Sequence, residues 1–154
     1  MQFFEWLEST GIAGTIGESL SITAWLSAVH AIGFTLVMSA GLTWNLHASG
    51  VLLPDVSRQS IARPAARLVG LGLTVSLLTG LALFAPRASY TAPGGVFQLK
   101  MALILVASIH QLGVNISVLR RPVTSVASLR ANGILGTMLW LALAITACWF
   151  ILFE

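Results

Sequence analysis

The sequence predicts an all-α fold: an integral membrane four-helix bundle with a short N-terminal interfacial helix. Three observations carry that expectation. The chain has 154 residues of which 56% are hydrophobic and only 8% charged, whereas soluble domains carry about a quarter charged residues. Its mean hydropathy is +0.90. The thirteen formal charges, five acids and eight bases, leave four long charge-free intervals, 19–54, 68–86, 101–119 and 131–153. A spanning helix needs about 20 mostly apolar residues, so each interval supplies one. No linker, low-complexity stretch or tandem repeat divides the chain, and residues 1–154 read as a single membrane domain.

In chain order, residues 2–16 offer Phe3, Phe4, Trp6, Leu7, Ile12 and Ile16 as one apolar face for a short interfacial helix, with Glu5 and Glu8 toward water. Acids instead of a basic region at the N-terminus speak against a secretory signal. The first span is expected near 20–44 and breaks at Pro54, Asp55 and Ser57. The second is expected near 66–86, with Pro64 suited to its first turn and Pro86 closing it. Thr91 to Gly95, with Pro93 and two glycines, makes a turn before the third span, near 96–119. Arg120, Arg121 and Pro122 end that helix with cations at its negative dipole end. The fourth is expected near 132–153. Trp25, Trp44, Trp140 and Trp149 suit aromatic belts or packing, and Cys148 reads as a small buried hydrophobe.

Loop charge sets the orientation. The 45–67 and 120–131 loops hold six of the eight bases, and the termini hold acids only, so the positive-inside rule puts both termini on the periplasmic side of a bacterial inner membrane. The bases are too scattered for a phosphate-binding patch, so nucleic acid is not an expected partner. The single Cys148 and the lack of any Cys/His zinc spacing exclude disulfide and zinc frameworks. No Ser-His-Asp set, paired carboxylate, Walker loop or GxGxxG supports hydrolase or nucleotide chemistry.

Two of the three histidines, His30 and His110, lie deep in apolar runs, where an ionisable side chain is a functional hypothesis by default. Counting 1.5 Å per residue from each helix centre puts them at depths that differ by about 7 Å. Small residues at helical spacing surround both: Thr23, Ser27, Gly33 and Gly41 on the first span, Ala107, Gly113 and Ser117 on the third. Two imidazoles on separate helices at similar depth suit axial ligation of one haem b iron, which favours electron transfer. Lys100 and Arg87, with Tyr90, would meet the propionates. The alternative stands level with it. Each histidine could instead tie helices together through Gln111, Asn115, Thr79 or Thr146, as Gly72, Ser76 and Gly80 pack the second span. His47, beside Asn45, reads as an interfacial side chain.

The runs Ser19 to Thr23, Val29 to Phe34 and Trp44 to Gly50, then Leu78 to Phe84, Tyr90 and Phe97 to Met101, resemble a family of small bacterial four-span membrane proteins of unknown function. The likeness covers about residues 1–120 and leaves the fourth span unmatched. Where members carry Asp-Leu-Arg, this chain has Asn45, Leu46 and His47. The layout is also similar to the copper-resistance D-type membrane domain and to the four-helix membrane protoporphyrinogen oxidase. These resemblances single out His30 and Lys100 and imply a haem-associated role. The expected function is therefore a cytochrome-like electron carrier in the lipid bilayer, between quinone and a membrane or periplasmic partner protein. The alternatives are a non-catalytic structural or assembly subunit, or metal-ion handling through His30, Met38, Met101 and His110.

Overall fold

A computed structural model describes residues 2–120 and 125–153. Among these it is helical throughout, without strands: α1 (Gln2–Glu8), α2 (Gly11–Glu18), α3 (Leu20–Ser49), α4 (Arg58–Phe84), α5 (Ala88–Thr91), α6 (Gly95–Arg120) and α7 (Val126–Phe153). The chain is an all-α bundle in which four helices are long and apolar enough to cross a membrane. The expected ends of the third helix at Arg121 and Pro122 lie outside the described residues.

Each long helix extends past its expected span at one end or both. α3 continues through Asn45 and His47 to a left-handed Gly50 (φ 84°), whose N–H closes on the His47 carbonyl at 3.0 Å. Only glycine adopts that φ cheaply, so the helix ends there and not at Trp44. α4 begins at Arg58 and not at residue 66, because Ser57 caps it by accepting from the Ser60 N–H at 3.3 Å. Pro64 consequently lies inside the helix, where its ring lacks the N–H that would bond the Ser60 carbonyl. Pro86 ends α4 as expected, in a single 3-10 turn over Ala85–Arg87.

The N-terminal segment is two short helices instead of one. Thr10 separates them, capping α2 by accepting from the Ala13 N–H at 3.3 Å. They pack on the end of the bundle that carries both termini: the Phe4 and Phe84 rings meet edge to face, 6.0 Å apart. The Thr23 hydroxyl donates to the Ile16 carbonyl at 2.7 Å.

Burial is lopsided along the bundle axis. Among the described residues, Gly33 is the first fully buried position on α3, Gly72 the last on α4, Ala107 the first on α6 and Thr146 the last on α7. Those residues bound one half of the bundle, toward the 50–57 loop, and this half is closed. The half toward the termini has no fully buried side chain on any long helix and is open.

Small residues close the packed half. A Cβ on Gly72 would lie 2.7 Å from the Gly33 carbonyl oxygen, and one on Gly133 2.5 Å from the Asn45 carbonyl oxygen. Such approaches let helix backbones touch in lipid, where apolar side chains gain nothing by meeting each other. The core is also polar. Gln111 Oε1 accepts from Asn45 Nδ2 at 2.8 Å and from Trp140 Nε1 at 3.1 Å, and Gln111 Nε2 donates to Asn115 Oδ1 at 3.2 Å. Trp44 and Trp140 are fully buried in this core and not in interfacial belts.

Candidate functional site

His30 sits on α3 in the open half. Its Nδ1 lies 2.9 Å from the Ser76 carbonyl oxygen on α4, 3.2 Å from Thr79 Oγ1 and 3.4 Å from Ser76 Oγ. A carbonyl oxygen only accepts, so Nδ1 carries the proton and donates to it. The Thr79 hydroxyl gives its own hydrogen to the Val75 carbonyl at 2.7 Å, so its lone pairs are free to meet the same Nδ1–H. The neutral ring therefore presents Nε2 as a lone pair, and no described residue hydrogen-bonds to it. Gly80 makes room for the ring: a Cβ there would lie 3.0 Å from His30 Cε1.

Lys100, near the start of α6, belongs to the same half. Its Nζ stands 4.7 Å from the centroid of the Phe150 ring, and its charge acts on the His30 imidazole. Phe97 joins the helices here, stacked on Phe84 at 5.1 Å and 6.1 Å from Phe150. Arg87 and Tyr90 are exposed in the short connection at this end. No described contact joins either to Lys100.

His110 lies elsewhere. Its neighbour Gln111 is bonded to Asn45, which places residue 110 level with about residue 44 of α3. At 1.5 Å per residue His30 is then about 21 Å away along the axis, not the 7 Å offset expected from helix centres. The extra five residues of α3 move its centre by about 4 Å, and the rest of the difference arises because α3 and α6 are staggered along the axis, which helix centres do not reveal. Metal–imidazole bonds are about 2 Å long, so His30 and His110 cannot both bind one iron in this fold. Gln111 and Asn115, offered as partners for a buried histidine, bond to each other and to α3 and α7 instead. Thr79 does bind His30. His110 Nδ1 and Nε2 are both shielded and unpartnered, and the ring lines a groove between α6 and α7.

His47 is buried, with Nδ1 3.0 Å from the Leu52 carbonyl oxygen. It fastens the α3–α4 turn to the core instead of lying at an interface. Cys148 is exposed, contrary to the expectation of a buried thiol. Among the described residues no group of three or more His, Cys, Asp or Glu could hold a metal ion. The four residues suggested for metal handling are divided by the same axial separation of His30 from His110.

The sequence pattern missed the Asn45–Gln111–Trp140 network. Its signal was present as three polar residues in apolar runs, but pairing them needs the α3–α6 register. Searches against family models, curated proteins and solved structures find no match to this chain.

Proposed function

We propose that this chain is a small haem b membrane protein, cytochrome-like, carrying electrons between quinone and a membrane or periplasmic partner protein. The iron would rest on His30 alone of the two histidines, in the open half of the bundle. One observation carries the reading: the Nδ1–H of His30 is committed to the Ser76 carbonyl, which leaves Nε2 as a free, oriented lone pair. Metal-ligating histidines adopt this arrangement, since the second bond fixes the tautomer and makes the ligating nitrogen more basic. Lys100 would supply a cation for an anionic group of the cofactor. Haem would supply a one-electron couple there. Ser76 and Thr79 would hold the imidazole, and the aromatic side chains of Phe84, Phe97 and Phe150 would exclude water. The resemblances that single out His30 and Lys100 point the same way. The bacterial inner membrane, with both termini periplasmic, is the orientation that loop charge favours.

A reduced-minus-oxidised spectrum of the purified protein tests this. We expect a b-type band that His30→Ala abolishes and His110→Ala keeps, with Lys100→Ala weakening retention only modestly. An exposed charge pair contributes about 1 kcal/mol or less, and the half-buried Lys100 somewhat more. A wild-type protein without the band, or a band that survives His30→Ala, overturns the reading.

A second reading has its own support. The Gly33–Gly72 seam and the polar core make a rigid half-bundle, suited to a structural or assembly subunit whose open half receives helices of a larger complex. Stoichiometric co-purification of a partner that is lost when the exposed Val29 and Leu81 of the open half are changed, without any haem band, would favour it.

A further inference from the structure

We infer that one face of α4 binds an anionic phospholipid, with Arg63 and Arg67 holding its phosphate and Gly70 making room for the chains beneath. At 3.6 residues per turn, Arg63, Arg67, Gly70, Thr74, Leu77 and Leu81 all fall within about 40° of one direction, and all six are exposed. The buried Ala62, Ala65, Val69 and Gly72 turn the other sides of the helix to the bundle. Crossing the hydrocarbon takes about 20 residues. Counted back from Phe84, where α4 ends, that length reaches Ala65, between the two arginines. Arg63 and Arg67 therefore leave the helix at head-group level, about 6 Å apart along the axis.

Charge and shape together define the occupant. Neither arginine meets a carboxylate among the described residues, and Asp55 is the only acid between Glu18 and Glu154. A guanidinium fork matches two phosphate oxygens and is more weakly hydrated than an ammonium. Two of them one turn apart suit a phosphodiester that no head-group cation neutralises. Immediately below, the surface becomes apolar. A Cβ on Gly70 would meet nothing within 4 Å, so the helix has a notch there, about 4.5 Å along the axis from Arg67. The Thr74 hydroxyl gives its hydrogen to the Gly70 carbonyl at 2.9 Å, and Leu77 and Leu81 carry the apolar surface further from the arginines. Inorganic phosphate would use the arginines alone. A phospholipid uses both parts, its phosphate on the forks and its chains along the notch and the leucines. Ser76, which holds His30, lies about 140° around the helix from Arg63, so the inference stands whether or not haem is bound.

Native mass spectrometry of the purified full chain, released from dodecylmaltoside micelles, tests this by counting lipid adducts. With dioleoyl phosphatidylglycerol a one-to-one adduct is expected, at least tenfold stronger than with dioleoyl phosphatidylcholine, whose choline cation opposes the arginines. The double variant Arg63→Gln, Arg67→Gln should weaken the adduct at least tenfold. Arg58→Gln with Arg130→Gln is the matched control, removing two charges from the same end but not from this face. Arg58 is turned about 140° around α4 from Arg63, and Arg130 lies on α7 beside Gly50. That control should keep the adduct within twofold. Gly70→Phe should weaken it at least threefold by filling the notch, and it touches no packed surface, so the circular dichroism spectrum should stay unchanged. An excess of inorganic phosphate should not displace the lipid. Unaltered binding in the Arg63 and Arg67 double variant, or in Gly70→Phe, overturns the proposal. So does equal binding of the two lipids, or an equal loss in both double variants, which would reduce the effect to bulk positive charge. Displacement by inorganic phosphate overturns it too, by making the arginines a simple anion site.

Discussion

Replacing Gly133 by alanine tests whether backbone contact, and not side-chain filling, closes the bundle. The added Cβ would stand 2.5 Å from the Asn45 carbonyl oxygen, 2.6 Å from the Ser49 nitrogen and 3.0 Å from the Ala48 carbonyl carbon. All three are α3 backbone, so none can swing aside as a side chain would. Restoring ordinary contact at 3.4 Å forces α7 back by about 0.9 Å, and a gap of about 0.5–1 Å forfeits a quarter to a half of each dispersion well. The loss spreads to neighbours on the same seam, because Gly136 packs on the Asn45 side chain and Trp140 packs on Gly41. Overpacking costs typically about 1–3 kcal/mol, and rigid backbone on both sides puts this site near 3 kcal/mol, about a hundredfold in the folded fraction. Gly113→Ala is the matched control. It makes the same chemical change on a facing helix with open space around it, and shares any gain in helix propensity. Titration of both variants with SDS from dodecylmaltoside micelles, followed by circular dichroism and tryptophan fluorescence, reads the difference. Equal midpoints for Gly133→Ala and Gly113→Ala would refute the argument.

Gln111→Leu removes the acceptor shared by Asn45 and Trp140 and the donor to Asn115; interhelical bonds in lipid average about 0.6 kcal/mol each, so a loss of about 2 kcal/mol is expected in the same titration. Trp140→Phe breaks one of those bonds and should cost less than Gln111→Leu; the reverse order would show that the indole's bulk outweighs the network. Gly50→Ala puts a side chain at φ 84°, costing about 1–2 kcal/mol, visible as earlier proteolysis in the 50–57 turn. A periplasm-active reporter joined after residue 153 should be active if loop charge orients the chain, and a silent one, with a cytoplasmic reporter active instead, inverts it.

The four spans were legible because charge is costly in lipid: every charge-free interval became a helix. Their ends were less so. Ser57 and Gly50 are capping residues that the sequence displayed, yet the hydrophobic pattern drew attention to where apolarity stopped instead of where hydrogen bonding could stop. That Gly72, Ser76 and Gly80 form one packing face was readable from spacing of four on one helix, but that they meet Gly33 and His30 of α3 was not. The α3–α7 contact at Gly133 and Gly136 was not, since only the register between two distant segments assigns it. The same gap undid the pairing of His30 with His110. Depth counted from helix centres carries the error of both helix ends, and here α3 reaches through His47 into what had looked like a loop. Lys100 was expected near the start of the third span and lies there, six residues into α6, because end errors at that terminus are small.

The lopsided packing has a physical consequence for where function can reside. Helices in lipid associate through close backbone contact and hydrogen bonds, and this chain spends Gly41, Gly72, Gly133 and Gly136 on one half. In that half Gln111 ties Asn45, Asn115 and Trp140 together, while Trp44 Nε1, Asn45 Oδ1, His47 Nε2 and both His110 nitrogens are buried without a partner among the described residues. The open half holds His30 and Lys100 without such a core. Polar groups in a span are costly unless something satisfies them, and Ser76 and Thr79 satisfy only one nitrogen of His30. The closed half holds α3 and α4 together, and on the open side of that seam the Ser76 carbonyl orients the His30 ring with its Nε2 free of any described partner, which is the feature the haem proposal rests on.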